Sequence, residues 1–172
     1  MVLQAIGDQV PVQPEIIHRS LKDFFLPGRF QVIPGDIKIV LDVAHNRQSA
    51  GILAENIQGL HQQQGKVSVV LGMLDDKNFS AYMAELIPCV DKWFLTTLGT
   101  SRGASGQILA ESLNDLDNNA VYEVYNDLQH ALDTAQSQAG KGDIIVICGS
   151  FITVGQAIEH LKLEIGANGK TT

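Results

Sequence analysis

Residues 37–46 read IKIVLDVAHN, and this stretch decides the fold. An apolar, β-branched run ends in an aspartate and is followed by polar residues, which is typical of the carboxyl end of a strand buried on both faces. Comparable runs recur along the chain: KVSVVLGM from Lys66, DKWFLTT from Asp91, AVYEVY from Ala120 and DIIVICG from Asp143. The five runs together predict five strands of one sheet.

Segments with helical spacing lie between these runs. Three apolar stripes have the period of an α-helix: Ala50, Leu53, Ala54, Ile57 and Leu60; Leu128, Ala131, Leu132 and Ala135; and Val154, Ala157, Ile158 and Leu161. Strands that alternate with helices indicate repeated βαβ units with right-handed crossovers. We therefore predict an α/β fold, a three-layer, doubly wound and mainly parallel sheet of five to six strands.

The flanking segments predict a three-part chain. A lead-in over residues 1–25 contains a helix that opens at Pro14, and residues 26–165 form a single domain. Within that domain, residues 30–33 predict an additional edge strand. The polar residues 166–172 are expected to form a frayed tail.

The composition of the chain argues against several kinds of partner and location. Twelve basic and nineteen acidic residues give a net charge of −7, which argues against a nucleic acid or an anionic membrane as a partner. No apolar run reaches the roughly 20 residues that cross a bilayer, and the first residues do not resemble a signal peptide. Cys89 and Cys148 lie far apart in apolar runs, so we expect free thiols and a cytoplasmic protein.

The loops beyond the carboxyl ends of the strands are where an open α/β sheet binds ligands. They contain an aspartate, a histidine, two candidate helix N-caps and a loop of mixed charge. A further cation follows a Pro-Gly break. These candidates are Arg29, Asp42, His45, Asn46, Asp76, Lys77, Arg102 and Ser150. Each also has a structural interpretation: a capping residue, a buried carboxylate with a partner, or solvated surface charge.

The tail GANGKTT, residues 166–172, is similar to the end of a phosphate-binding loop. That loop requires a glycine five residues before Lys170, where Ile165 stands instead. No predicted strand leads into the tail and no helix follows it. We therefore expect no phosphate site there.

Five segments of the chain form a recognisable series: LPGRF (26–30), LDVAHN (41–46), LGMLDDKN (71–78), SRGAS (101–105) and ICGSFITVG (147–155). In their order and spacing they resemble the C-terminal domain of the folylpolyglutamate synthase and dihydrofolate synthase family, which is related to the Mur ligases. The likeness is greatest to the bifunctional bacterial members.

The resemblance implies an ATP-dependent amide ligase. ATP phosphorylates a carboxyl group of dihydropteroate or a folate, and the amino group of glutamate attacks the acyl phosphate. By position, Arg29 would reach the ATP phosphates and Asp42 the ribose. His45 would be the catalytic residue beside glutamate, and Ser150 would bind glutamate. The resemblance leaves Asn46, Asp76, Lys77 and Arg102 as possible additional site residues.

Two departures from the family accompany this resemblance. Arg47 stands where the family usually has proline, which places an extra cation next to His45. The large N-terminal domain of the family, with its phosphate loop, Mg²⁺ ligands and much of its folate site, is not in this sequence. We therefore expect no metal ligands in this chain, dependence on that domain as its partner, and no ligation by the chain alone.

Two other functions remain open from the residues alone. A stand-alone nucleotide-binding module would use the same strand ends without catalysis. A phospho-acceptor receiver domain would need an aspartate at the end of the third strand and a lysine after the fifth. The sequence has Thr96 and Thr97 at the first place, and Gly149 and Ser150 at the second.

Overall fold

The computed structural model describes residues 15–16, 26–60 and 65–163. It contains six strands: β1 (Gln31–Ile33), β2 (Lys38–Asp42), β3 (Val67–Leu71), β4 (Lys92–Thr96), β5 (Tyr122–Tyr125) and β6 (Ile144–Cys148). The helices are α1 (Arg47–Leu60), α2 (Phe79–Leu86), α3 (Gly106–Leu116), α4 (Leu128–Gln138) and α5 (Phe151–His160), with a short 3₁₀ turn at Ile87–Cys89.

The six strands form one sheet in the order β1-β2-β6-β3-β4-β5. Strand β1 pairs with β2 in the antiparallel direction, and all the other pairs are parallel. The chain runs from β2 through β3 and β4 to β5 at one edge, then returns to place β6 between β2 and β3. This confirms the predicted mainly parallel α/β sheet, including the additional edge strand.

Helices cover both faces of the sheet, as the prediction requires. One face packs against α1, α2 and α3 around Val69, Leu71 and Trp93. The other packs against α4 and α5 around Val70, Phe94 and Ile147. Adjacent residues of each central strand point to opposite layers, so both layers need apolar side chains, and the strands read as continuous apolar runs.

Each helix begins with a polar cap. The side chain of the residue before the first helical residue accepts a backbone N–H three positions later, which satisfies one donor of the first turn. The caps are Asn46, Asn78, Ser105, Asp127 and Ser150. These local bonds explain why the helices start directly after the strand-end loops, and they confirm the capping roles expected for Asn46 and Ser150.

Sequence periodicity identified three of these helices. No stripe was identified for the other two helices. Helix α2 buries Tyr82, Met83 and Leu86, and helix α3 buries Leu109, Ala110 and Leu113. The predicted helix from Pro14 is described only at residues 15 and 16, which are helical; its remainder and the tail 166–172 lie outside the described residues. Within the described ranges, no helix is both long and apolar enough to cross a membrane.

Tyr82 tests how the buried polar groups of the core are hydrogen-bonded. Its side chain is fully buried, and its hydroxyl makes no hydrogen bond of normal geometry to the described residues; it interacts with the buried thiol of Cys148, which is a weak partner. Burial raises the pKa of Tyr82 well above its ordinary value. Because a buried hydroxyl without a well-formed hydrogen bond costs free energy, we expect Tyr82→Phe to increase the free energy of unfolding by about 1 kcal/mol in urea titrations.

The matched control is Tyr125→Phe. The Tyr125 hydroxyl donates to the Glu123 carboxylate, so removing it loses a charge-assisted bond and should lower the free energy of unfolding. Equal losses of stability in the two variants would mean that the interaction of the Tyr82 hydroxyl with Cys148 is a strong one.

Candidate active site

The candidate site lies at the carboxyl ends of β2, β6 and β3, where the chain reverses the direction in which it adds strands to the sheet. Asp42 at the end of β2 is in register with Cys148 at the end of β6, and Cys148 is in register with Leu71 at the end of β3. From these neighbouring ends, α1 leaves toward one face and α5 toward the other. Helices that diverge in this way open a crevice at the carboxyl edge, which is the usual ligand position in such sheets.

Asp42 fixes the loop that carries Arg29. Its two carboxylate oxygens accept the N–H of Phe30 at 2.8 Å and the N–H of Ala44 at 2.7 Å. Burial raises the pKa of Asp42 above the ordinary value of an aspartate, against the lowering effect of these two bonds and of the Arg29 charge. The carboxylate thus has the partners that its position requires, and the Arg29 loop is tied to the end of β2.

The Pro-Gly break before Arg29 has a defined backbone. Gly28 has φ of 70°, its carbonyl accepts the N–H of Val43 at 2.8 Å, and Phe30 has φ of 43°. A β-carbon at Gly28 would lie 2.9 Å from the side chain of Val154, so glycine is required for space as well as for conformation.

Arg29 and His45 meet on the side chain of Phe151. The guanidinium carbon of Arg29 lies 5.6 Å from the centroid of the Phe151 ring, and the centroid of the His45 ring lies 6.1 Å from it at 48°. Both distances are within the range of attractive cation–π and aromatic contacts. Toward the described residues, the Arg29 guanidinium makes no hydrogen bond, so its donors are available for an anion.

The tautomer of His45 follows from its partner. Nδ1 lies 2.8 Å from the carbonyl oxygen of Val43, and a carbonyl can only accept, so Nδ1 carries the hydrogen. Nε2 is then the ring nitrogen that can accept a proton. The backbone N–H groups of His45 and Asn46 both donate to the hydroxyl of Ser49 at 3.2 Å, which holds the loop against the start of α1.

Ser150 caps α5 and belongs to a buried chain of hydroxyl groups. Its Oγ accepts the N–H of Thr153 at 3.0 Å and lies 2.7 Å from Thr153 Oγ1. Thr153 Oγ1 donates to the carbonyl of Gly72 at 2.7 Å. These bonds connect the start of α5 to the chain just after β3, so the loops beyond β6 and β3 hold each other in place.

Asp76, Lys77 and Arg102 form a second charged cluster on the same edge of the sheet. Asp76 Oδ2 accepts from Lys77 Nζ at 3.3 Å and from Arg102 Nη2 at 3.1 Å. Desolvation opposes the lowering of the Asp76 pKa, but the bond from Lys77 and the charges of both cations outweigh it. No hydrogen bond or ion pair between described residues joins this cluster to Arg29, Asp42 or His45.

Arg47 is paired away from His45. Its Nε lies 2.7 Å from Glu85 Oε1 on α2, so the extra cation expected beside the histidine is neutralised by a carboxylate. Helix α1 begins at Arg47, so the helix keeps its start with arginine in place of proline.

Three residues of this edge were missed from the sequence: Ser49, Phe151 and Thr153. Ser49 and Thr153 stand three residues after their caps, a spacing that could have identified them. An exposed aromatic side chain at a helix start gives no comparable signal. Across residues 15–16, 26–60 and 65–163, no group of three or more His, Cys, Asp or Glu side chains could hold a metal ion.

A family model described as "Mur ligase, glutamate ligase domain" matches residues 28–151. The chain belongs to this family. The matched range begins at the glycine of the Arg29 loop and ends at Phe151, so it contains every predicted site residue. The receiver-domain hypothesis is thereby dropped.

Relatives of this Mur ligase domain include a curated protein and solved structures. The dihydrofolate synthase/folylpolyglutamate synthase of Escherichia coli strain K12 is 32% identical over 157 residues, covering 91% of this chain and 35% of the relative. A bifunctional folylpolyglutamate synthase/dihydrofolate synthase with Mn, AMPPNP and L-glutamate bound matches with a TM-score of 0.79 and 37% identity, covering 90% of this chain and 36% of that one.

FolC of Escherichia coli in complex with DHPP and ADP matches with a TM-score of 0.80 and 31% identity, covering 89% of this chain and 35% of that one. The Mur ligase domain fold is therefore shared with these enzymes. The chain spans about a third of the length of the relatives that it matches.

The role of Asp42 in holding the Arg29 loop can be tested by Asp42→Asn. An asparagine has one carbonyl oxygen where the aspartate uses two, so one of the bonds from Phe30 and Ala44 must be lost. We expect the free energy of unfolding to fall by about 1 kcal/mol and hydrogen exchange of the Phe30 or Ala44 amide to accelerate. NMR-detected exchange is the measurement.

Asp36→Asn serves as the control, because Asp36 pairs with Lys141 at an exposed position. It should leave both amides protected. Unchanged protection in the Asp42→Asn protein would show that the loop is held by other contacts.

Proposed function

We propose that this chain is the C-terminal domain of an ATP-dependent ligase that joins glutamate to dihydropteroate or to a reduced folate. The observation that carries the proposal is the meeting of Arg29 and His45 on Phe151, beside Asp42, at the switch point of a Mur ligase domain. A free guanidinium, a carboxylate and an imidazole with an available nitrogen are suited to a nucleotide and an acyl-transfer step.

The reaction has two steps. A carboxylate oxygen of the folate attacks the γ-phosphorus of ATP, and ADP leaves. The amino nitrogen of glutamate then attacks the acyl carbon, phosphate leaves, and an amide forms. Both steps build negative charge on phosphoryl oxygens or on the carbonyl oxygen, so fixed cations and N–H donors stabilise them.

Arg29 and Asp42 are the nucleotide residues of the proposal. The guanidinium donors of Arg29 bind phosphate oxygens, for which their planar geometry is well matched. Each carboxylate oxygen of Asp42 accepts one backbone N–H and retains capacity for a ribose hydroxyl. The same carboxylate therefore supports the Arg29 loop and the nucleotide.

His45 and Ser150 are the glutamate residues of the proposal. His45 Nε2 accepts the proton that the attacking amino group releases, because Nδ1 is already bonded to Val43. Ser150 lies at the start of α5, where the helix dipole and the first N–H groups favour an anionic group. Asn46 places the start of α1 on the other side of the crevice.

Asp76, Lys77 and Arg102 extend the site toward the ends of β3 and β4. Two cations share the Asp76 carboxylate, so both keep donors that could bind an anionic group of a substrate. We assign the Mg²⁺ that ATP requires to ligands in the N-terminal domain, and no step performed by the residues described above passes through a metal. Cys89 and Cys148 are free, which fits the cytoplasm.

A two-domain comparison tests the proposal. We expect negligible ligation by this chain alone and ligation once it is joined to the N-terminal domain of the family. In the joined protein, Arg29→Ala should weaken ATP binding about tenfold or more, since hydrogen bonds to charged groups are lost. Calorimetric titration with ATP measures the affinity.

Lys141→Ala is the matched control, because Lys141 is an exposed cation before β6, at the opposite edge of the sheet. It should leave ATP binding unchanged. Tight ATP binding by the chain alone, lost in Arg29→Ala, would favour the stand-alone binding module, and ligation by the chain alone would refute the division between domains.

His45→Ala tests the catalytic assignment in the joined protein. If Nε2 accepts the proton in the transition state, kcat for ligation should fall by about a hundredfold or more, while ATP affinity changes by less than about threefold. Steady-state kinetics and ATP titration give the two values. Ligation at the wild-type rate would leave His45 with only a structural role in its loop.

A further inference from the structure

We infer that Phe151 is a positioning residue for both reactive side chains of the site. Its ring is the one contact that joins Arg29 and His45 among the described residues. The two come from different loops, before β1 and after β2, and Phe151 comes from the start of α5. The ring therefore holds a cation and an imidazole in one arrangement across the boundary between β2 and β6.

The position of Phe151 does not fit a role in the core. The residue is 61% exposed, more than any other large apolar residue in the described ranges. A side chain of this kind gains little from burial at the first position of a helix. Its contacts with two polar side chains of the site provide a reason for an aromatic ring there.

Phe151 makes a cation–π contact with Arg29 and an aromatic contact with His45, so a substitution that keeps the arrangement has to preserve an aromatic ring. Arg29 lies within 6 Å of the ring centroid, so it is attracted by the π-electrons of the face. His45 is tilted by 48° to the ring, as in many aromatic pairs. Tyrosine retains both interactions, whereas leucine has a similar apolar character but neither interaction.

The other ends of both side chains are already fixed. Asp42 holds the backbone of the Arg29 loop, and the Val43 carbonyl holds Nδ1 of His45. The remaining freedom is rotation of the guanidinium about the side-chain bonds of Arg29, and tilting of the imidazole about its hydrogen bond to Val43. Contact with Phe151 restricts that rotation before any ligand binds, which lowers the entropy lost on binding.

The arrangement itself can be tested on this chain by NMR. An aromatic ring shifts the resonances of protons that lie over it, so the side-chain resonances of Arg29 and His45 should move in Phe151→Leu and stay near their wild-type positions in Phe151→Tyr. The remainder of the spectrum reports whether the variants fold. Identical Arg29 and His45 resonances in wild type and Phe151→Leu would overturn the inference.

The consequence for ligation rests on the proposed function and is tested in the joined two-domain protein. We expect Phe151→Leu to lower kcat/KM for ligation about tenfold, since two weak contacts are lost. The KM for the folate substrate and the melting temperature should be unchanged. Phe151→Tyr should restore most of the rate.

A double-mutant comparison separates positioning from direct contact with substrate. In a protein that already carries Arg29→Ala and His45→Ala, adding Phe151→Leu should change the residual rate by less than about twofold. A further tenfold loss in that background would show that Phe151 acts on the substrate by itself, and would overturn the positioning role. Val121→Ala, which removes a similarly exposed apolar side chain before β5, should have no effect.

The outcomes distinguish this inference from the proposed function. If the joined wild-type protein does not ligate, the proposed function fails while the NMR result still decides the arrangement. If it ligates and Phe151→Leu ligates equally well, the proposed function stands and the positioning role fails.

Discussion

Strand β6 is paired with β2 on one side and with β3 on the other, and the site depends on this double pairing. All five of its residues are buried. Because β6 is inserted after the chain has already passed from β2 to β3, the helices after β2 and β6 leave toward opposite faces. The crevice between them is a result of strand order, and the side chains of the site come from loops that this order brings together.

The insertion of β6 between β2 and β3 requires close contact between the backbone after β6 and the backbone after β3. Gly149 has φ of 105°, and a β-carbon there would lie 2.5 Å from the carbonyl oxygen of Gly72. A β-carbon at Gly72 would in turn lie 2.8 Å from Thr153 Oγ1. Any larger residue at these positions would push β6 and β3 apart or break the hydroxyl chain that begins at Ser150. The fold itself therefore requires glycine at both positions.

The local features of this domain could be predicted from its sequence. Apolar runs identified β2 to β6, and the polar residues before the helical stripes identified Asn46 and Ser150 as caps, because capping depends on neighbours three residues away. The position of β6 between β2 and β3 could not be obtained in this way, since the pairing joins distant segments. The contacts of Phe151 with Arg29 and His45 depend on that pairing, so they were missed for the same reason.

The partners of charged side chains were harder to predict than the positions of the strands and helices. Arg47 is next to His45 in the sequence, yet its partner is Glu85 on α2. Asp42 has the structural role expected of a buried carboxylate, since it accepts backbone N–H groups, and it also lies near enough to Arg29 for that charge to lower its pKa. In both cases the partner comes from another element, and only the packed fold brings the two together.

The hydroxyl chain from Ser150 to Gly72 has a direction. The Gly72 carbonyl can only accept, so Thr153 must give it its hydrogen, and the hydrogen of Ser150 must then point to Thr153. Toward the crevice, Ser150 Oγ therefore offers a lone pair and no hydrogen. A ligand that contacts this oxygen has to bring its own donor, so an anionic group at the start of α5 would be bound by the backbone N–H groups of the helix and not by the Ser150 hydroxyl.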